Sequence, residues 1–114
     1  MESVEVVSSL AALAHQSRLT TFRLLVQAGP GGMAASRISA ALNVPASSLS
    51  FHLKELAHAG LVTARQEGRF VIYAARYDTM NAMLGFLTEN CCGGNPCSPL
   101  DNVACDAPSP TCSR

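Results

Sequence analysis

Residues 42–74 read LNVPASSLSFHLKELAHAGLVTARQEGRFVIYA, and inside this stretch the apolar residues change from a helical spacing to strict alternation. The first part predicts a helix that begins near Pro45 and ends at Gly60, because its leucines recur on one helical face. Those inward positions are Leu49, Leu53 and Leu56. The second part alternates in LVTARQ and RFVIYAAR, and the dipeptide EG at 67–68 predicts a turn between two strands. The stretch therefore predicts a helix followed by a β-hairpin.

Three more helices are predicted before this stretch. The first spans roughly residues 3–14, and the second is stopped by GPGG at 29–32. The third runs from about 35 to 42 and is broken by NVP, because a residue before proline avoids the helical region. Apolar residues at helical spacing predict the inward faces: Val6, Leu10 and Leu13, then Leu19, Phe22, Leu25 and Val26, then Ile38, Ala41 and Leu42.

A last helix and a tail follow the hairpin. Asp78 is expected to cap this helix, whose apolar stripe is formed by Met80, Met83, Leu84 and Leu87. Residues 93–114 hold four of the six prolines and few bulky apolar residues, which predicts a flexible segment. We therefore expect one folded domain over residues 1–90 and a cysteine-containing flexible tail over residues 91–114.

Length, composition and charge are typical of a single cytoplasmic domain. The chain has 114 residues, of which 48% are apolar, and this is enough for one modest core. Its two early glutamates argue against a secretory signal, and no apolar run is long enough to cross a membrane. The net charge is zero, yet residues 18–76 carry seven Lys or Arg against two Glu, with acidic segments on either side. A basic middle suits a polyanionic partner.

Two short helices joined by a tight turn and followed by a hairpin predict a winged helix–turn–helix, a mainly α fold with a β-hairpin wing. In this arrangement the second helix of the pair enters the major groove of double-stranded DNA. The polar side chains expected on its outer face are Ser47, Ser48, Ser50, His52 and Lys54. The wing residues expected to reach the DNA are Arg65, Gln66 and Arg69. Serines on an exposed helix face often contact only solvent. The prediction of DNA binding therefore depends on the order of the helices and the hairpin along the chain.

The run S-x-H-L-K-x-L-x-x-A-G-L-V at 50–62, together with the hairpin, resembles the recognition helix and wing of the ArsR/SmtB family of metal-responsive repressors. HQSRLTTFRLL at 15–25 is similar to that family's second helix, and the resemblance covers about residues 5–88. It implies a homodimeric repressor that leaves its operator DNA when a metal or metalloid binds. It also implies dimerisation through the first and last helices. A monomer of this size would have difficulty burying the apolar stripes that both helices carry.

The best-known metal sites of that family have no counterpart at the matching positions. The segment GGMAASRISAALNV at 31–44 has no cysteine, where the arsenic and cadmium type carries Cys-x-Cys. The segment DTMNAMLGFLTEN at 78–90 has no histidine, where the zinc type places histidines and carboxylates. Neither of these two sites can therefore be carried over to this chain.

Three cysteines follow the last helix in ENCCGGNPCSP, residues 89–99, and they are Cys91, Cys92 and Cys97. The two glycines and the Asn-Pro pair between them allow the chain to turn back, so that three thiolates can meet. Such a sulfur-dominated site suits a soft ion. We predict arsenite, As(III), as the inducer, with antimonite, Sb(III), as a second candidate of the same geometry. Some relatives in the family with cysteines in a similar C-terminal position resemble arsenic sensors.

Other interpretations of the thiols stay open. Zinc would want a fourth ligand, which Cys105 or Cys112 could supply, and an organoarsenical, cadmium or lead could replace arsenite. Adjacent cysteines can form a strained disulfide, which would make the protein a redox-sensing repressor. An enzyme such as a thiol–disulfide or arsenate reductase is disfavoured, because Cys91 and Cys92 follow a helix C-terminus whose dipole opposes a thiolate. An architectural DNA binder without a sensing role is the remaining alternative.

Overall fold

The structure, a computed structural model, describes residues 1–94 of the chain. Within the described residues the chain divides into two compact units, residues 1–83 and a second unit that begins at residue 84. The predicted ligand residue Cys97 lies outside the described residues, as do Cys105 and Cys112. No helix within residues 1–94 has the length and apolar character needed to cross a bilayer.

Five α-helices, three strands and one 3-10 turn make up the described chain. In order they are α1 Ser3–Leu13, α2 Gln16–Ala28, β1 Met33–Ala34, α3 Ala35–Leu42, α4 Ala46–His58, β2 Val62–Glu67, β3 Phe70–Ala75, α5 Tyr77–Leu87 and the 3-10 turn Cys91–Gly94. The predicted fold class is confirmed: a mainly helical chain in which α3 and α4 form the helix–turn–helix and β2 and β3 form the wing.

Three local details differ from the sequence prediction. Pro45 is the N-cap of α4 with an extended ψ of 143°, so the helix begins one residue later. Helix α5 begins at Tyr77, which puts Asp78 in its first turn and not at its cap. The wing turn is at 68–69 because Glu67 pairs with Phe70. A φ of 61° at Gly68 suits the first central position of a two-residue hairpin loop.

Strand β1 was not predicted from the sequence, and neither was the 3-10 turn Cys91–Gly94. The two residues of β1 pair antiparallel with β3, where Met33 lies opposite Tyr73, and the resulting sheet has the order β1-β3-β2. Gly32, just before β1, has a φ of 74° and lies against the carbonyl group of Tyr73. A strand of two residues has no readable alternation, so only the tertiary contact reveals it.

The core of the first unit lies between the helices and the inner side of the wing. Its buried members are Ala12, Phe22, Leu25, Ile38, Leu49, Leu53, Leu56, Leu61, Val62 and Ala75. The hydroxyl group of Tyr77 donates to the carbonyl oxygen of Val26 at 3.1 Å, which ties the first turn of α5 to α2. These contacts fix the orientation of α4 relative to α2.

Helix α1 buries only part of the predicted face: Val6 is buried and Leu13 is half-buried, as predicted. Its buried residues are Val6, Ser9 and Ala12. Leu10, predicted to point inward, is 41% exposed, and Val7 is 64% exposed. The small Ser9 and Ala12 let the helix approach its neighbours, and this leaves the larger side chains on the outside. Leu19 of α2, also predicted inward, is likewise exposed.

Candidate nucleic-acid interface

The turn between α3 and α4 is closed by Asn43, which adopts a left-handed conformation with φ 54°. The backbone N–H of Val44 donates to the carbonyl oxygen of Ser39 at 3.1 Å, and the Ser39 hydroxyl donates back to the carbonyl oxygen of Val44 at 2.5 Å. Asparagine tolerates the left-handed region better than most residues, so this residue suits the turn. The two helices are thereby joined as a helix–turn–helix requires.

One face of α4 is buried and the opposite face is open. Leu49, Leu53 and Leu56 are almost fully buried, which confirms the predicted inward stripe. The exposed residues on the rest of the helix are Ala46, Ser47, Ser48, Ser50, Phe51, Lys54, Ala57 and His58. Four of the five predicted DNA-contacting residues of this helix are therefore exposed. Sequence reasoning overlooked Phe51, although its place four residues after Ser47 puts it on the same face.

His52, the fifth predicted residue, lies at the edge of that face and is half-buried. Its Nδ1 atom accepts a hydrogen bond from Nε of Arg18 at 3.4 Å, and its ring lies 4.7 Å from that of His15. Burial of the imidazole lowers the pKa of His52 below its ordinary value of 6.5, and the nearby His15 and Arg18 lower this pKa further. The neutral ring therefore has only Nε2 available for DNA.

Arg18 joins α2 to the open face of α4. Its guanidinium group lies over the ring of Phe51, 5.8 Å from the centroid, and also donates to the carbonyl oxygen of Ala12 at 3.4 Å. His15 is the N-cap of α2, where its Nδ1 accepts from the N–H of Ser17 at 3.2 Å. We call His15, Arg18, Phe51 and His52 the α2–α4 cluster.

The three predicted wing residues lie near the hairpin turn with different partners. Arg65 forms an ion pair with Glu67 at 2.6 Å and donates to the carbonyl oxygen of Gly31 at 2.9 Å. Gln66 donates to the carbonyl oxygen of Gly68 at 3.1 Å. Arg69 is exposed within the turn and forms no ion pair with any residue in 1–94. Arg69 is thus the wing cation most available to a phosphate.

The predicted thiol site is only partly within the described chain. Cys91 and Cys92 begin the 3-10 turn that follows α5, and the N–H of Cys91 donates to the carbonyl oxygen of Thr88 at 3.0 Å. Asn90 has a φ of 58° and Gly93 a φ of 68°, so the backbone changes direction on both sides of the cysteine pair. Among the described side chains, which do not include that of Cys92, no three His, Cys, Asp or Glu lie close enough to hold a metal ion.

The helix–turn–helix region matches a known family model. Residues 13–65 match the model of a helix-turn-helix domain. Among curated proteins, none matches the chain significantly in sequence.

Three solved structures similar to this chain are described as transcriptional regulators. An ArsR-like transcriptional regulator from Rhodococcus sp. RHA1 is 28% identical over 74% of this chain and 76% of its own, with a TM-score of 0.66. The homodimeric winged helix-turn-helix domain of Mb0332 from Mycobacterium bovis is 28% identical over 75% of this chain and 80% of its own, with a TM-score of 0.62. A possible transcriptional regulator for arsenical resistance is 25% identical over 90% of this chain and 98% of its own, with a TM-score of 0.63.

Proposed function

We propose that this chain is a DNA-binding transcriptional repressor of the ArsR/SmtB type that leaves its operator when trivalent arsenic or antimony binds, a proposal supported by the helix-turn-helix match and by the similarity to an ArsR-like regulator. The observation that carries the proposal is the outward face of α4, where Ser47, Ser48 and Lys54 are exposed while the leucines of the helix are buried. The inducer is bound by Cys91, Cys92 and Cys97. The protein acts in the cytoplasm and carries out no catalytic reaction.

The DNA-binding part of the proposal follows from size and charge. Ser47 and Ser48 have short side chains, so the backbone of α4 can approach the groove while their hydroxyl groups bond phosphates or base edges. Arg69 at the wing turn adds a cation that can reach the sugar–phosphate backbone. The acidic segments lie outside residues 18–76, which keeps the net positive charge on the part of the chain that carries α2 to β3.

The dimeric part rests on α1. Val4, Val7 and Leu10 follow one another at helical spacing and are all exposed in the single chain. An exposed apolar row on a helix marks a surface that another protein covers. The Mycobacterium bovis relative is described as a homodimer, so a second copy of this chain is the occupant that we propose.

The ligand part rests on the chemistry of the donors. Three thiols lie within seven residues of one another, and thiolates are soft ligands that select soft ions. Arsenite and antimonite are satisfied by three sulfurs, whereas structural zinc takes four ligands. The relative described as a possible regulator for arsenical resistance covers 90% of this chain, which favours arsenic over the other soft ions.

Release from DNA follows from linkage. Ligand capture by residues 91–97 ties together the segment that directly follows α5, a helix proposed to take part in the dimer. A dimer reads two half-sites about one DNA turn apart, so a small change in the angle between its two recognition helices weakens both contacts. A coupling of about 1–3 kcal/mol weakens operator binding roughly 5–150-fold. Operator DNA must weaken arsenite binding by the same factor.

The experiment starts from a duplex selected out of random sequence by the full-length reduced protein. Fluorescence anisotropy of that duplex then follows the complex during titration with arsenite, antimonite, cadmium, lead, zinc, phenylarsine oxide or the thiol oxidant diamide. Release by arsenite and antimonite at the lowest concentrations supports the proposal. Release by zinc alone, or by diamide alone, contradicts the ligand and favours a four-thiolate or a redox sensor. Failure to select any duplex contradicts the DNA-binding function itself.

A further inference from the structure

Phe51 occupies the middle of the open face of α4 and is 54% exposed. The residues one turn before it on that side are Ser47 and Ser48, and those one turn after it are Lys54 and Glu55. A single exposed apolar residue is ordinary on a protein surface and needs no explanation by itself. Phe51 differs because it is a rigid aromatic ring on the helix that is proposed to enter the major groove.

The direction of the side chain places the ring toward the start of the helix. In an α-helix a long side chain leans toward the N-terminus, over the residues three and four positions before it. For Phe51 these are Ser48 and Ser47, whose side chains are too short to cover a ring. In a helix–turn–helix the N-terminal residues of the second helix contact the base edges. The ring of Phe51 therefore lies on the half of α4 that reads bases.

The ring is held in place from two sides. The guanidinium group of Arg18 lies 5.8 Å from its centroid, and the His52 ring meets it edge-on, with centroids 5.8 Å apart and planes at 64°. Arg18 is itself bonded to His52 and to the backbone of Ala12 at the end of α1. A side chain that is already ordered loses less conformational entropy when it binds. This is the arrangement expected of a contact residue prepared for its partner.

The chemistry of the ring decides what it can read. Phenylalanine has neither a hydrogen-bond donor nor an acceptor, so it can discriminate only by apolar contact. In the major groove the apolar feature among the four bases is the C5-methyl group of thymine. We propose that Phe51 contacts the methyl group of a thymine in each operator half-site and is thus a specificity-determining residue. The inference rests on the proposed DNA-binding function and adds the base that one side chain selects.

The chain offers a matched control. Phe70 has almost the same exposure, 56%, but it lies at the turn of the wing, where β2 and β3 meet. If exposed aromatic area as such attracted DNA, the two residues would behave alike. The proposal predicts that only Phe51 senses the thymine methyl group, because only Phe51 lies on the base-reading half of α4.

The test replaces thymine by deoxyuridine, which removes the methyl group and leaves every hydrogen-bonding atom in place. Each symmetric pair of thymines in the selected operator is replaced in turn, and anisotropy gives the affinity of the full-length wild type, Phe51→Ala, Phe51→Leu and Phe70→Ala. When one particular thymine pair is replaced, the operator affinity of the wild type and of Phe70→Ala should fall about fourfold per half-site, since a methyl-sized group is worth about 0.8 kcal/mol when buried. The affinity of Phe51→Ala should not change when that pair is replaced, although it should still respond at the other pairs as the wild type does. Phe51→Leu should keep part of the wild-type loss at that pair.

Two results would overturn the inference while leaving the proposed function intact. One is a wild type that binds its operator tightly but senses no thymine methyl group at any pair. The other is a Phe51→Ala protein with the same uracil profile as the wild type. Loss of the dimer in Phe51→Ala, seen by sedimentation, would instead assign the ring to a protein contact and also overturn it. If no duplex binds specifically, the proposed function fails along with the inference.

Discussion

The Nε atom of Arg18 lies 3.4 Å from the Nδ1 atom of His52, so a residue of α2 holds a side chain of the recognition helix across a separation of 34 residues. For Arg18 to donate, Nδ1 of His52 must carry a lone pair, and the imidazole must be neutral. Protonation of His52 would place its new proton against the guanidinium group. We therefore expect the α2–α4 cluster to respond to pH.

Acidification should destabilise the protein through His52. Its pKa in the folded chain is lowered by burial first, and by His15 and Arg18 next. The ordinary pKa of a histidine, 6.5, applies in the unfolded chain, so below that pH protons bind preferentially to the unfolded chain. The stabilisation is therefore complete above pH 6.5 and is lost as the pH falls through the pKa of His52 in the folded chain. Thermal unfolding followed between about pH 8 and pH 5 should show a smaller fall in Tm for His52→Gln than for the wild type. His58→Gln, a change at an exposed histidine of the same helix, should keep the wild-type fall. Equal slopes for all three proteins would contradict the assignment.

The wing should show its DNA contact in the salt dependence of binding. Arg69→Gln should reduce the slope of log affinity against log salt by about one for each protomer, because a phosphate contact is lost. Arg65→Gln should reduce the slope less, since Glu67 and the carbonyl oxygen of Gly31 already engage that guanidinium group. The measurement is operator binding at a series of salt concentrations. A larger effect at Arg65 than at Arg69 would reverse this assignment of the two arginines.

A charge on the outer face of α1 should separate the dimer without unfolding the chain. Val7 is 64% exposed in the single chain, so Val7→Glu leaves the core intact but buries a carboxylate if a second copy covers this face. Sedimentation should give folded monomers, and circular dichroism should give an unchanged helix content. Phe70→Glu, an apolar-to-acidic change at a similarly exposed residue of the wing, should remain dimeric. By contrast, Met83 is buried within its own chain, so Met83→Glu should lower stability whatever the oligomeric state. A dimeric Val7→Glu protein would place the interface elsewhere.

Serine at any one of Cys91, Cys92 or Cys97 should leave a repressor that binds its operator but is not released by arsenite. Each change removes one soft ligand while keeping the size of the side chain nearly constant. Serine at Cys105 or Cys112 is the matched control and should preserve release. The readout is the arsenite concentration that halves the anisotropy change. If Cys112→Ser or Cys105→Ser loses induction while Cys97→Ser keeps it, the third ligand comes from farther along the chain.

The contact between β1 and β3 should make Gly32 sensitive to substitution and Gly31 tolerant. A Cβ atom at Gly32 would clash with the carbonyl oxygen of Tyr73, and the φ of 74° is unfavourable for any other residue. Gly32→Ala should cost about 1–3 kcal/mol of unfolding free energy. Gly31→Ala meets no atom within 4 Å, so its effect should stay within about 0.5 kcal/mol. Urea denaturation of both variants measures the difference, and equal stabilities would contradict the close approach.

Much of the fold could be read from the local order of residues. The change from helical to alternating spacing after Gly60 gave the boundary between α4 and the wing, and the bounds of α3 were predicted to the residue. Leu49, Leu53 and Leu56 are buried as their spacing predicts. These features are local, because a helix with one apolar stripe has only one way to bury it. The same reasoning found the serines and Lys54 on the open face of α4.

Other features were decided only when distant segments met. Helix α1 has apolar residues on more than one face, and the face that packs depends on how closely α2 and α4 approach, so Ser9 and not Leu10 is buried. The two residues of β1 become a strand only because β3 supplies hydrogen-bonding partners. Phe51 and His52 are neighbours in sequence and both contact Arg18, yet Phe51 stays exposed on the open face whereas His52 is half-buried. The spacing of apolar residues in the sequence shows which faces of an element could be buried. Packing between elements that are distant in sequence determines which of those faces is buried.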